Sequence, residues 1–173
     1  MKLDITRGIQ RKGIDVPFDL VDAWGEDHWS GDTITFVRLV SFSGTYMLAD
    51  ETVLVRGVAR AVIQSPCARC LKPTLTPVEA EIDEAFVRDK GQEREADDDQ
   101  YMYSGHVLEL DEAVRTALLL ELPSRILCKA DCRGLCAQCG QDLNVQACSC
   151  QKDLIHRNPF SALASLLNED EEV

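Results

Sequence analysis

Eight cysteines, six of them crowded into the 23 residues from Cys128 to Cys150, limit this chain more than any other feature. What they can do depends on the compartment. No apolar run exceeds four residues, against the ~20 that a membrane span needs. Met1–Pro17 carries Lys2, Arg7, Arg11 and Lys12 with no apolar stretch between them, so no secretory signal is expected there. The expected location is the reducing cytoplasm, where disulfides do not persist and closely spaced thiols usually hold a metal.

Cys136-Ala-Gln-Cys139-Gly140 has the spacing of a knuckle. Two thiolates three residues apart can share one ion if the chain turns tightly, and the following glycine relieves the crowding where amides point at sulfur. With Cys148 and Cys150 they complete a tetrahedral zinc set, the intervening residues forming a hairpin. Cys67-Ala-Arg-Cys70 is a second knuckle, and Cys128 and Cys132 are a fourth pair. Two structural Zn²⁺ sites are therefore expected: Cys136, Cys139, Cys148 and Cys150 in the first, Cys67, Cys70, Cys128 and Cys132 in the second. The second would staple the cysteine-rich arm onto the preceding domain. Two alternatives stay open: one site with exchanged ligands, such as Cys67 and Cys70 with Cys136 and Cys139, or Cys67 and Cys70 reduced and without metal. His156 is a further candidate ligand. A four-thiolate site has no open coordination position, so zinc held there is structural. Thioredoxin-like chemistry needs the Cys-x-x-Cys at a helix N-terminus, and Cys67 and Cys70 fall between strand patterns. An iron–sulfur cluster would use similar pairs, but zinc suits this glycine-flanked spacing.

The first half of the chain reads as β structure. In Ile34–Leu48 the residues Ile34, Phe36, Val40, Phe42, Tyr46 and Leu48 all fall on even positions, with Arg38 the exception. Such alternation buries one face. Gly44 is expected to mark a bulge or bend. Thr52–Ile63 and Val78–Val87 read as further strands, with Lys2–Ile5 and Ile14–Leu20 as edge strands and no helical period before residue 105. Glu112–Leu122 reads as a helix with Asp111 as N-cap and Pro123 as its stop. Phe160–Leu167 reads as a short helix capped by Asn158. The fold class expected is α+β: a bent antiparallel β-sheet or small barrel, a packed helix and a C-terminal zinc-stabilised cysteine-rich arm. The expected organisation is a β-rich domain over 1–122, with an acidic linker at 90–100 and the helix at 111–122. A zinc-binding arm over 123–158 and a short helix with an acidic tail over 159–173 follow.

The net charge is -12, which opposes an extensive grip on nucleic acid. Only the arm is locally basic: Arg125, Lys129, Arg133, Lys152 and Arg157 outnumber Asp131, Asp142 and Asp153. With Arg69 and Lys72 these are candidate phosphate or partner contacts. His28, His106 and His156 make no triad pattern, and no phosphate loop or nucleophile elbow is present. No enzyme is expected. A zinc-stabilised protein-interaction module and a thiol-redox or metal-handling protein are the alternatives to a nucleic-acid role.

Cys67-Ala-Arg-Cys70-Leu71, the run Asp131-Cys132-Arg133-Gly134-Leu135-Cys136-Ala137-Gln138-Cys139-Gly140-Gln141-Asp142-Leu143-Asn144 with Cys148-Ser149-Cys150, and the ending Asn158-Pro159-Phe160-Ser161-Ala162-Leu163 together resemble the YceD family, the large ribosomal RNA subunit accumulation proteins. The resemblance runs from about residue 33 to 167. It implies a non-enzymatic part in 23S rRNA accumulation and ribosome biogenesis. The expected partner is a ribosomal protein or assembly factor of the large subunit, with indirect or limited contact to rRNA and none to membrane.

Overall fold

The computed structural model describes residues 1–91 and 100–150. The centre of the acidic linker, His156, Lys152, Arg157 and the helix expected at Phe160–Leu167 lie outside the described residues. The chain forms two compact units. The first is Met1–Cys67 with Lys72–Cys128; the second is Ala68–Leu71 with the chain from Lys129 onward.

The first unit is a mostly antiparallel sheet built on strand β6. In chain order its elements are β1 (Lys2–Asp4), α1 (Thr6–Gln10), β2 (Val16–Asp22), β3 (Glu26–Trp29), β4 (Asp32–Phe36), β5 (Val40–Ala49), β6 (Thr52–Pro66), β7 (Pro73–Arg88), β8 (Tyr101–Tyr103), β9 (Val107–Glu109) and α2 (Asp111–Leu120). β6 and β7 form one uninterrupted ladder from Thr52↔Val87 to Pro66↔Pro73. On its other edge β6 pairs with β5 and β4, which carry β2 and β3 beyond them. Among the described residues no ladder closes this sheet into a barrel. The short β8 pairs with β7 in parallel, an exception to the antiparallel expectation, and β1 pairs with β9 in a separate two-stranded sheet.

The alternation over Ile34–Leu48 serves two strands. β4 meets β6 at Phe36↔Ile63, and β5 meets the same edge from Ser41↔Arg60. Five steps along one strand thus face three along the other, and the break falls at residues 37–39. An offset of two residues preserves the parity of a period-2 pattern, whereas an offset of one would turn every later side chain outward. Ile34, Phe36, Val40, Phe42, Tyr46 and Leu48 are all buried, while Arg38 sits in the break, exposed.

Gly44 departs from expectation. The β5–β6 register runs without interruption from Ser41↔Arg60 to Ala49↔Thr52, with Gly44 facing Gly57, so Gly44 marks no bulge. It marks a close approach: a Cβ there would lie 2.0 Å from the Arg56 carbonyl oxygen.

The buried face of the sheet carries Val53, Val55, Ile63, Ile82 and Phe86, and Ala113, Val114 and Leu118 of α2 pack on it. Each such large side chain contributes about 1.5–3 kcal/mol when fully buried. Phe18 meets Phe42 edge-on at 4.9 Å between ring centres, and Phe86 stacks on Tyr101 at 5.2 Å. On the exposed face Arg56 pairs with Asp83 and Arg60 with Glu79. Ion pairs this exposed contribute about 0–1 kcal/mol, so the sheet is held by its apolar side.

Helix α2 begins one residue earlier than a capping Asp111 would require. Leu110 occupies the cap position without a side-chain cap bond, and Asp111 and Glu112 lie in the first turn. Their charges suit the positive end of the helix dipole. The helix α1, unexpected from sequence, is five residues long, too short to display a 3.6-residue period. Gly8 within it donates its N–H to the Tyr46 hydroxyl at 3.3 Å.

Candidate metal centres

Both Cys-x-x-Cys segments adopt one local geometry. At the tip of the β6–β7 hairpin the Cys67 N–H donates to the Lys72 carbonyl at 2.8 Å; in the arm the Cys136 N–H donates to the Gln141 carbonyl, also at 2.8 Å. The residue after the second cysteine is left-handed in each: Leu71 at φ 60° and Gly140 at φ 71°. A non-glycine residue pays about 1–2 kcal/mol for that conformation. Leu71 is 65% exposed and recovers little of it by packing. Leu71→Gly should therefore stabilise the zinc-loaded protein by about 0.5–1 kcal/mol, after the larger entropy of a glycine in the unfolded chain is subtracted. Thermal unfolding checks this, and a loss of stability would mean that the Leu71 side chain makes a contact the fold needs.

The sulfurs gather into two quartets. Those of Cys136, Cys139, Cys148 and Cys150 all lie within 4.8 Å of one another, as do those of Cys67, Cys70, Cys128 and Cys132. Zn–S bonds of about 2.3 Å in a tetrahedron put sulfurs about 3.8 Å apart, so both quartets are compatible with zinc after small contractions. Cys67, Cys70, Cys132 and Cys136 are buried; Cys128 and Cys139 are exposed, and Cys148 and Cys150 are intermediate.

Amide donors point at the sulfurs, as thiolates require. The Cys128 N–H donates to Cys67 Sγ at 3.4 Å, and the Asn144 side-chain amide donates to Cys132 Sγ at 3.5 Å. Backbone N–H groups of Cys139 and Gln138 hold the Cys136 thiol down to about 6. The hydrogen bond to Cys136 pushes the Cys148 thiol up, and the hydrogen bond to Cys139 pushes Cys150 up to about 12. Hydrogen bonds between these sulfurs require that some of them keep their protons. A zinc ion would displace those protons, because only thiolates ligate.

The residues between the cysteine pairs hold the arm's backbone. The Leu135 N–H donates to the Arg69 carbonyl at 3.1 Å, and the Leu143 N–H donates to the Gly134 carbonyl at 2.9 Å. Gly134 has φ 77° and faces the Arg69 carbonyl, 2.9 Å from where a Cβ would sit, so no other residue fits without strain. Asn144 ties three places together. Its side-chain oxygen accepts from the Arg133 N–H at 2.8 Å, and its amide donates to Asp142 at 2.8 Å as well as to Cys132. Sequence reasoning gave Asn144 no role, because an asparagine's partners are set by a fold that spacing does not reveal.

The basic candidates divide. Arg69 and Arg133 line one cavity of about 420 Å³ together with Cys132, Leu143, Ala147 and Cys148. Lys72, Arg125 and Lys129 are exposed, and Lys129 pairs with Asp131 at 3.7 Å. His28 and His106 are exposed and belong to neither quartet. Among the described residues no helix is long and apolar enough to cross a membrane.

A family model described as "Large ribosomal RNA subunit accumulation protein YceD" matches residues 55–167, a span that contains all eight cysteines. The chain belongs to the YceD family. This agrees with the resemblance carried by its motifs. Among curated relatives, an uncharacterized protein of Mycobacterium tuberculosis is 35% identical over 95 residues, covering 54% of this YceD chain and 46% of the relative. An uncharacterized protein of Mycobacterium leprae is 32% identical over 100 residues, covering 56% of this chain and 45% of the relative. The match thus spans about half the length of these relatives. No solved structure matches the chain.

Proposed function

We propose that this YceD protein is a non-enzymatic factor in ribosome biogenesis, supporting accumulation of 23S rRNA and assembly of the large ribosomal subunit. The observation that carries the reading is the family match, whose description names large-subunit rRNA accumulation and no reaction. Two four-sulfur clusters support it in kind, since a closed thiolate site shapes a binding surface and leaves no position for substrate. The zinc ions, one per quartet, are structural in this reading.

The charge argues for a protein as the main partner. At net -12 the chain as a whole disfavours an RNA backbone and favours a basic client. A ribosomal protein or an assembly factor of the large subunit fits that field, with rRNA touched only locally. Depletion of the protein should lower 23S rRNA relative to 16S rRNA at least twofold, measured on total RNA from depleted cells. An unchanged ratio would remove the reading.

A further inference from the structure

We infer that the cavity between Arg69 and Arg133 is a phosphodiester-binding cleft, the place where this protein touches rRNA. The inference rests on the ribosomal reading above and adds a site to it. Arg69 and Arg133 come from distant parts of the sequence, one from the hairpin tip and one from the arm, and line a single cavity of about 420 Å³. That volume lies within the range of ligand-binding clefts, about 300–1,000 Å³. Among the described residues no carboxylate lines it; the other described walls are Cys132, Leu143, Ala147 and Cys148.

Arg69 is held in place by the arm. Its Nη1 donates to the Cys132 carbonyl at 2.7 Å, and its own carbonyl accepts from Leu135. A guanidinium has five N–H donors in a rigid fork, so this one bond anchors the group and leaves donors to present to an anion. The Arg133 backbone is fixed in the same way by Asn144. Two arginines lining one space suit the planar, bidentate recognition of a phosphate.

The thiolate clusters are the opposing charge, nominally about -2 for each zinc with four thiolates. That charge is spread over four sulfurs that also accept N–H bonds; Cys132 and Cys148 line the cavity itself, so the charge opposes an anion there and must be outweighed by direct contact with the arginines. A phosphate in direct contact with two guanidiniums is governed by the contact. A cleft this small engages one or two phosphates, which reconciles local RNA contact with an acidic protein.

The test uses the zinc-loaded full chain and a fluorescently labelled RNA hairpin of about 20 nucleotides, titrated by anisotropy over a salt series. Arg133→Gln and Arg69→Gln should each weaken binding about five- to tenfold. Each should also flatten the slope of log K against log salt by about 0.7–0.9, the share of one phosphate contact. Arg133→Lys should restore part of the affinity, and zinc per chain should not change. Unaltered affinity and slope in both glutamine variants would overturn the cleft, as would polyglutamate binding as tightly as the hairpin. Expression of the doubly substituted chain in depleted cells separates this inference from the reading beneath it. If depletion lowers the 23S to 16S ratio and the double variant restores it fully, the cleft fails while the ribosomal role stands. An unchanged ratio on depletion removes the role itself.

Discussion

Treated with a strong chelator, the protein will lose the dispersed amide resonances of Lys129–Cys150 while those of the β6–β7 ladder persist. From Lys129 onward the only buried hydrophobic side chains among the described residues are Cys132 and Cys136, and both are candidate ligands. Ordering each residue of that segment opposes folding by about 1–2 kcal/mol. A structural zinc supplies about 10–16 kcal/mol in small zinc-finger peptides, a scale that no pair of half-buried leucines approaches. The sheet has its own apolar core and should survive. Freshly purified protein should carry two zinc ions per chain. Cys136→Ser and Cys67→Ser should each lower that to one, because the two substitutions strike different quartets. Amide spectra that ignore the chelator, or one zinc per chain before any substitution, would break this account.

Gly44→Ala will destabilise the sheet by about 3 kcal/mol or more, the upper end for overpacking. The added Cβ would lie 2.0 Å from the Arg56 carbonyl oxygen and 2.6 Å from Gly57 Cα. Both are backbone atoms in the middle of the β5–β6 ladder, so no rotamer change removes the clash. The strands must separate locally, breaking ladder hydrogen bonds on both sides. For a chain of this size the midpoint of thermal unfolding should fall by roughly 6–12 °C. Gly25→Ala is the control: nothing lies within 4 Å of its Cβ position, and its effect should stay within about 0.5 kcal/mol. A Gly44→Ala protein as stable as the control would mean that the two strands do not approach so closely.

The sheet was legible where its cause is local. Richness in Val and Ile marks β6 over Thr52–Ile63, and alternation over Val78–Val87 marks β7 because a half-buried strand must place apolar residues at every second position. The structure extends them to Thr52–Pro66 and Pro73–Arg88, since hairpin pairing continues through polar residues that carry no pattern. Strand β3, Glu26-Asp-His-Trp29, was invisible for the same reason: its partner β4 holds it at an edge. The parallel strand β8 is three residues long, too short for any period.

The sequence by itself determined the period-2 faces of the sheet, the apolar face of α2 and the resemblance to the YceD family, because side-chain direction follows from backbone period and thiolate spacing from the length of a tight turn. It also carried the grouping of Cys136, Cys139, Cys148 and Cys150 into one possible ligand set, all within 15 residues. Only the tertiary structure decided that Cys67 and Cys70 gather with Cys128 and Cys132 rather than with Cys136 and Cys139, that Gly44 faces Gly57, and that Arg69 and Arg133 share a cavity. Each of these joins residues far apart in the chain. Such contacts depend on where every intervening strand turns and on which register its ladder takes, and no local pattern encodes that.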